Sequence, residues 1–548
     1  MTELNTFFVG ILSYLLLYPF LQGGLFGVGA WLYLSLGKQE KAFLQSFFGG
    51  VAVLGCGVPL ACLMLYLMKY SVTTPLYWWA FGAFGSFILM FYLERKGVVE
   101  KILKMGSKTS DLERDKKTDV RQVLEKMKKM QEYDPEPYFR KNAYFFGLDA
   151  NKKPVYWEKP RLPHLQISGA SGFGKSVLLG VIATQTLYKG EATIIFDPKK
   201  GGDEYFPHVA REAAQKAGVN FNFLDLRSNA FQVNPFKGAS KLEITELLEN
   251  SFELFNTGEA ADFYRAIDRK AAQRFAELYK EGETAQSMLK KHHAVFKELK
   301  ATDFLEKLEN LANLSALNAV DGIPLKAAIE QGEMVYIAGD TDSETVKIAQ
   351  RMLLARVLQI ASARDNITEK PRQICIILDE FKFHISRLVM TALSTIRDKG
   401  VHIVFAHQAI ADLKDVPKSL DGEAVKGAIL TNCTLKFTYR AVDVETADYF
   451  SDLSGEVLVD DEIRHVDRSL SLAEKVSAER QVRQTERNYI DRNTMLFLPE
   501  NCGVLFGNGL ARISNVYPIK VQKNPESKQV QDFGGDMELK PIADFDAL

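Results

Sequence analysis

Gly169-Ala170-Ser171-Gly172-Phe173-Gly174-Lys175-Ser176 decides how the rest of the chain is read. It matches G-x-x-x-x-G-K-S/T. It follows a short apolar run, His164–Ser168, and opens a helical pattern over Ser176–Thr186. A strand, a glycine-rich turn and a helix in that order form a phosphate-binding loop. Glycines let successive backbone N–H groups curl around one anion without Cβ clashes, and the helix N-terminus adds the positive end of its dipole. Gly169, Gly172 and Gly174 would shape this cradle. Lys175 would neutralise β/γ-phosphate charge, and Ser176 would offer a hydroxyl to Mg²⁺. The expected ligands are ATP and Mg²⁺.

Such a site needs a carboxylate at the end of a neighbouring buried strand, and Ile374-Cys-Ile-Ile-Leu-Asp379-Glu380 supplies two. Asp379 would hold Mg²⁺ through water, and Glu380 would polarise the attacking water as general base. Adjacent side chains on extended backbone point in different directions, so the two roles are separable. Gln408 closes the run Phe405-Ala-His-Gln408, where its amide would sense the γ-phosphate or simply cap a loop. His407 beside it reads as a packed histidine, since Glu380 already provides the base. Phosphoryl transfer also calls for extra positive charge, commonly an arginine from a neighbouring subunit. Arg397 and Arg440 are the candidates; ion pairing with Asp398 and Asp443 is the alternative.

With 68 basic and 69 acidic residues, the net charge is −1, so nucleic-acid binding would need local patches rather than a basic field. A hydrophobic fraction of 47% excludes a disordered chain, and the five cysteines form no CxxC pair, as suits buried thiols. Seven short runs have buried-strand character: His164–Ser168, Ala192–Asp197, Phe221–Asp225, Met334–Gly339, Ile374–Asp379, His402–Ala406 and Thr434–Tyr439. Helical patterns separate them, which predicts an α/β fold with a parallel, doubly covered sheet. Between Lys241 and about Val320 the strand signal gives way to Leu, Phe and Ala at helical spacing, an inserted all-α domain.

The first hundred residues differ in kind. Thr6–Leu36, Phe43–Met68 and Pro75–Leu93 contain no charged residue, and each is long enough for a hydrocarbon core of about 30 Å. They predict transmembrane helices. Lys38 and Lys41 in the first loop and Arg95, Lys96, Lys101 and Lys104 after the third stretch put the bulk of the chain in the cytoplasm. The first stretch would be about 46 Å long as one helix and carries Gly23, Gly24, Gly27 and Gly29, so two spans are the alternative to three. The expected divisions are 1–95, a transmembrane anchor; 96–139, a charged, solvated linker; 140–240 and 326–523, two parts of a nucleotide-binding domain; 241–325, the helical insert; and 524–548, a polar acidic tail.

The chain resembles the type IV secretion coupling proteins, of the TraD/TraG-like kind. The resemblance rests on the N-terminal spans, Gly169–Ser176, the Asp197-Pro-Lys turn, Val233-Asn-Pro-Phe236, the helical insert, Ile377-Leu-Asp379-Glu380-Phe381, Gln408, and Asn432…Arg440…Leu453-Ser-Gly455. It implies a RecA-like P-loop ATPase domain and a homo-hexamer in the bacterial inner membrane. Such a motor takes single-stranded DNA with its relaxosome, or protein substrates, to a secretion channel. Two other readings stand beside it: a septal double-stranded DNA translocase, suggested by Arg397–Gln408, and a nucleotide-gated membrane receptor without motor activity. For DNA the insert offers Arg265, Arg269, Lys270 and Arg274, then Lys290, Lys291, His292, His293, Lys297 and Lys300. Positions 290/297 and 293/300 repeat at i+7 as a basic stripe, while interleaved Glu277, Glu281 and Glu298 allow a salt-bridged solvent face instead.

Overall fold

The computed structural model describes residues 18–37, 49, 51–67, 74–95, 120–365, 370–468, 474–507 and 509–529. The chain divides into two compact units, Met1–Asp111 and Leu112–Leu548. Thr6–Pro19 and most of Phe43–Gly50 in the expected spans, the linker up to 119 and the tail beyond 529 lie almost wholly outside the described residues.

The first unit holds the helices Pro19–Gly37, Gly57–Leu67 and Thr74–Arg95. Among the described residues one helix, Thr74–Leu93, is long and apolar enough to cross a bilayer; Gly57–Leu67 is apolar but short. The glycines of the first helix serve packing. A Cβ on Gly23 would lie 2.0 Å from the Trp79 carbonyl oxygen, and one on Gly27 would lie 2.3 Å from that of Ala83. Gly23-x-x-x-Gly27 therefore forms a small-residue face along which the two backbones approach closely. Trp79 Nε1 donates to Gly55 O at 2.7 Å.

The second unit is built on an eleven-stranded sheet in the order β2-β1-β13-β12-β9-β3-β8-β7-β4-β6-β5. Its strands are β1 Tyr144–Leu148, β2 Pro154–Trp157, β3 Leu165–Ser168, β4 Ala192–Asp197, β5 Phe221–Asp225, β6 Met334–Ala338, β7 Ile374–Leu378, β8 Val401–His407, β9 Leu435–Thr438, β12 Cys502–Phe506 and β13 Arg512–Asn515. The seven runs read from sequence are β3 to β9, and they pair in parallel. The expectation of a wholly parallel sheet is corrected by β12, β13, β1 and β2, which extend it antiparallel beyond β9. A separate hairpin pairs β10 Glu456–Arg468 with β11 Glu474–Asn488.

Alternation along the central strands divides two cores. Ile194, Phe196, Ile376, Leu378, Ile403 and Phe405 face one side with Phe275, Phe296 and Phe304 of the insert and the helix Glu344–Ser362. Ile195, Ile377, Val404 and Ala406 face the other, against Leu178, Val181 and Ile182 of the helix Lys175–Tyr188 and Val209 of the helix Phe206–Ala217. The insert's helices, Lys241–Ser251, Asp262–Leu278, Ala285–Glu298 and Thr302–Ala312, thus share one continuous core with the sheet. Capping boxes at Ser240/Glu243 and Thr284/Ser287 start the first and third of them. The described end of the linker departs from a solvated segment: Leu124 and Met127 are buried, and Tyr133 donates to Asn515 O at 2.5 Å.

Candidate nucleotide site

β3 delivers the glycine-rich loop. Ser168 sits in register between His407 of β8 and Thr438 of β9, and its hydroxyl donates to Thr438 Oγ1 at 2.8 Å. Gly169 then adopts φ 142°, where an added Cβ would lie 2.5 Å from Tyr439 Cβ. Close approach and a positive φ together demand glycine there. Gly172 also has a positive φ, 83°, but a Cβ there meets nothing within 4 Å, so it lies at the open mouth of the loop. Gly174 (φ 113°) leads into the helix Lys175–Tyr188. The amides of Gly172, Phe173, Gly174, Lys175 and Ser176 donate to no carbonyl or side chain among the described residues. That row of uncommitted donors at a helix N-terminus fits a phosphate group.

Lys175 is buried, and its Nζ donates to Gly169 O at 2.7 Å and Ala170 O at 3.2 Å. Burial lowers its pKa, and the nearby Glu380 and Asp379 carboxylates oppose that shift. β8 lies between β3 and β7, with Leu378 level with Phe405 and Ser168 level with His407. At roughly 4.8 Å per strand the acid pair and the loop therefore emerge about 10 Å apart at the same end of the sheet. A chain of polar contacts spans that distance. Ser176 Oγ donates to Asp203 Oδ2 at 3.4 Å, Lys199 Nζ donates to the same oxygen at 2.7 Å, and Lys199 Nζ also reaches Asp379 Oδ2 at 3.0 Å.

Asp379 is buried and Glu380 half-buried. Glu380 adopts φ 45°, ψ 63°, a left-handed conformation costly for a residue with a Cβ, and its N–H donates to Asp379 Oδ1 at 3.0 Å. The two carboxylates are thereby turned apart. Gln408, exposed after β8, donates its Nε2 to both Glu380 oxygens at 3.2 and 3.3 Å. His407 is buried, with Nε2 2.9 Å from Gln166 Nε2 and Nδ1 2.8 Å from Ala409 O. Burial holds its pKa down near 4, so it is neutral at pH 7.

The two arginines part company. Arg440 follows β9 beside its own loop: its carbonyl accepts from Ala170 N at 3.0 Å, its Nε donates to Leu496 O at 2.8 Å, and its guanidinium lies 5.2 Å from the Phe173 ring centre. Arg397 is exposed in the turn Ile396–Lys399 that leads into β8, at the opposite end of the strands.

Sequence reasoning assigned nothing to three acids here. Asp197, fully buried at the end of β4, accepts from Lys199 N at 2.9 Å, Asp203 N at 2.6 Å and Tyr336 Oη at 2.5 Å, which fixes the turn after β4. Burial and the Asp379 charge raise its pKa to about 6. Asp203 connects Ser176 to Lys199, and Asp412 Oδ2 accepts from the backbone N–H of Gln408 at 2.9 Å. The recurrence of Asp and Lys in Asp197-Pro-Lys-Lys-Gly-Gly-Asp203 at a strand end was the available signal. The hydroxyl of Ser176 and the carboxylate of Asp379, hard oxygen donors flanking a phosphate cradle, suit Mg²⁺.

Fold and site together define a P-loop nucleotide-binding protein. Residues 373–500 match the family model described as the TraM recognition site of TraD and TraG. Mobilization protein A of Escherichia coli is 32% identical over 337 residues, which are 58% of this chain and 60% of that protein, so the chain spans about 60% of that curated relative. Among solved structures, the plasmid coupling protein TrwB with an ATP analogue is 17% identical at a TM-score of 0.45, covering 73% of this chain and 94% of that one. VirB4 of Thermoanaerobacter pseudethanolicus is 14% identical at a TM-score of 0.45, covering 71% and 98%. Over residues 373–500 the chain is thus similar to TraD and TraG.

Proposed function

We propose that this chain is the ATPase that couples cargo to a type IV secretion channel in conjugation. The observation that carries the reading is the convergence of the Gly169–Ser176 amides and the Asp379–Glu380 pair at one end of the sheet, joined through Asp203 and Lys199. In this reading the loop amides and Lys175 hold the β- and γ-phosphates of ATP, and Ser176 and Asp379 hold Mg²⁺. The metal, when bound, neutralises charge developing on the phosphoryl oxygens. Glu380 takes the proton of the attacking water, and Gln408 keeps its carboxylate aimed until the γ-phosphate competes for the amide. Arg440, packed beside its own loop, serves the site in cis. Arg397, exposed and remote from that loop, is the arginine that reaches a neighbour's site in a homo-hexamer.

The cargo in this reading is single-stranded DNA with its relaxosome, or protein substrates. Lys290, Lys297 and Lys300 are exposed on or beside the helix Ala285–Glu298, whereas Lys291 and Arg274 pair with Glu283 and Glu277. A narrowed basic stripe therefore supports phosphate-backbone contact. Anchoring in the bacterial inner membrane is supported by the exposed apolar side chains of the first unit, among them Leu54, Tyr77, Phe81 and Phe84, each more than two-thirds accessible. ATP turnover measured against protein concentration, with and without single-stranded DNA, tests the reading. A cooperative rise with concentration and salt-sensitive stimulation by DNA are expected. Turnover undiminished in Lys175→Ala protein would remove it.

A further inference from the structure

We propose that Lys199 is a built-in counter-ion that takes the magnesium position whenever nucleotide is absent and is expelled when Mg²⁺-nucleotide loads. The proposal rests on the nucleotide-site reading above and adds a residue to it.

Its basis is the geometry of one ammonium. Lys199 Nζ stands 3.0 Å from Asp379 Oδ2 and 2.7 Å from Asp203 Oδ2, and that second oxygen lies 3.4 Å from the Ser176 hydroxyl. The two groups expected to grip the metal, Ser176 and Asp379, are therefore already bridged, with Lys199 supplying the positive charge. Asp379 is 1% exposed. A carboxylate so placed is costly to leave unpaired, and Lys199 pairs it.

The turn carrying Lys199 is held from behind. Asp197 accepts the N–H of Lys199 and of Asp203, and the Tyr336 hydroxyl fixes Asp197 in turn. The backbone is thus anchored while the side chain, on its flexible four-carbon stem, stays free to swing. A dication and an ammonium sharing the same carboxylate oxygens repel each other, which favours displacement of the ammonium by the metal. Loading Mg²⁺-nucleotide then drives Lys199 outward and leaves Asp203 and Asp379 to the metal side. Release lets Lys199 return and discharge the acids. Metal alone is rejected because Lys199 competes with it; metal carried by phosphates wins.

The test uses the full chain and Mn²⁺ as probe, followed by electron paramagnetic resonance without nucleotide. Lys199→Met protein is expected to bind Mn²⁺ at least about tenfold more tightly than the wild type, a gain equal to one decade of affinity. An unchanged affinity overturns the proposal. A second measurement needs no variant: acylation of Lys199, read by mass spectrometry, is expected to speed up severalfold when MgADP is added. Should the variant not fold, labelling decides alone, and a rate that fails to rise overturns the proposal. MgADP binding by the wild type, titrated in the same preparation, separates the two claims. Binding with no effect of Lys199 sinks only the counter-ion role; no binding sinks the nucleotide site with it.

Discussion

The side-chain amide of Gln408 donates to both oxygens of the Glu380 carboxylate, at 3.2 and 3.3 Å, across the gap between the ends of β8 and β7. Glu380 is itself held in left-handed backbone, so its direction is fixed from two sides. If Glu380 is the general base of the proposed reaction, its carboxylate is aimed before substrate arrives. Glu380→Gln should lower kcat about 10²–10⁴-fold, the usual worth of a positioned general base, with ADP affinity within about threefold of wild type. Gln408→Ala should cost roughly tenfold in kcat, the value of one hydrogen bond to a charged group. Phosphate release under single-turnover conditions, beside calorimetric ADP titration, measures both. Equal losses in affinity and rate would show that these residues shape the pocket rather than the chemistry.

Gly169 and Gly172 share a loop and a positive φ but not an environment. An alanine at 169 would press on Tyr439 Cβ, whereas at 172 it meets open space. Gly169→Ala should therefore lose about 2–4 kcal/mol, strain plus overpacking, and Gly172→Ala about 1 kcal/mol, strain alone. Urea unfolding of the two variants provides the comparison. A larger loss at 172 would contradict the loop geometry.

Four buried histidines, His164, His384, His402 and His407, are pushed down to pKa values of about 4, 4, 3 and 4, with burial the leading cause in each. Their folded values lie below the unfolded value near 6.5. The stability they contribute is thus present above pH 6.5 and lost as pH falls through about 4. Each adds a slope of about 1.4 kcal/mol per pH unit in that window. Glu191 works the other way. Burial raises it to about 7, so its contribution is full below about pH 4.5 and is lost as pH rises through 7. Glu191→Gln should gain stability at pH 8 relative to wild type and little at pH 4.5. Thermal unfolding midpoints across pH 4–8 check both signs, and a flat profile would refute them.

The parallel half of the sheet was legible because buried parallel strands leave unbroken apolar runs such as Ile374–Leu378. The antiparallel half was not. β13, Arg-Ile-Ser-Asn, has three polar residues in four and takes its place between the nearby β12 and the distant β1, with Ser514 Oγ donating to Phe146 O. The hairpin β10–β11 is rich in charge and lacks a buried-strand pattern, so only the pairing of its two arms reveals it. Within the site, Gly169–Ser176 and Asp379–Glu380 were plain because phosphate chemistry dictates their residue types and spacing. Asp203 and Asp412 were not, since a lone acid in a loop carries no pattern, and their importance comes from what the fold brings to them: Lys199 and Ser176 for one, Gln408 for the other.

The central claim, that one magnesium-bound triphosphate joins the loop before Lys175 to the acid pair after β7, is tested most directly by anomalous scattering from the full chain crystallised with Mn²⁺ and a non-hydrolysable ATP analogue. The expected result is a single manganese peak between Ser176 Oγ and Asp379 Oδ2, phosphate density along the Gly172–Ser176 amides, and Lys199 withdrawn from Asp379. Manganese bound elsewhere, or a loop without phosphate, would contradict it.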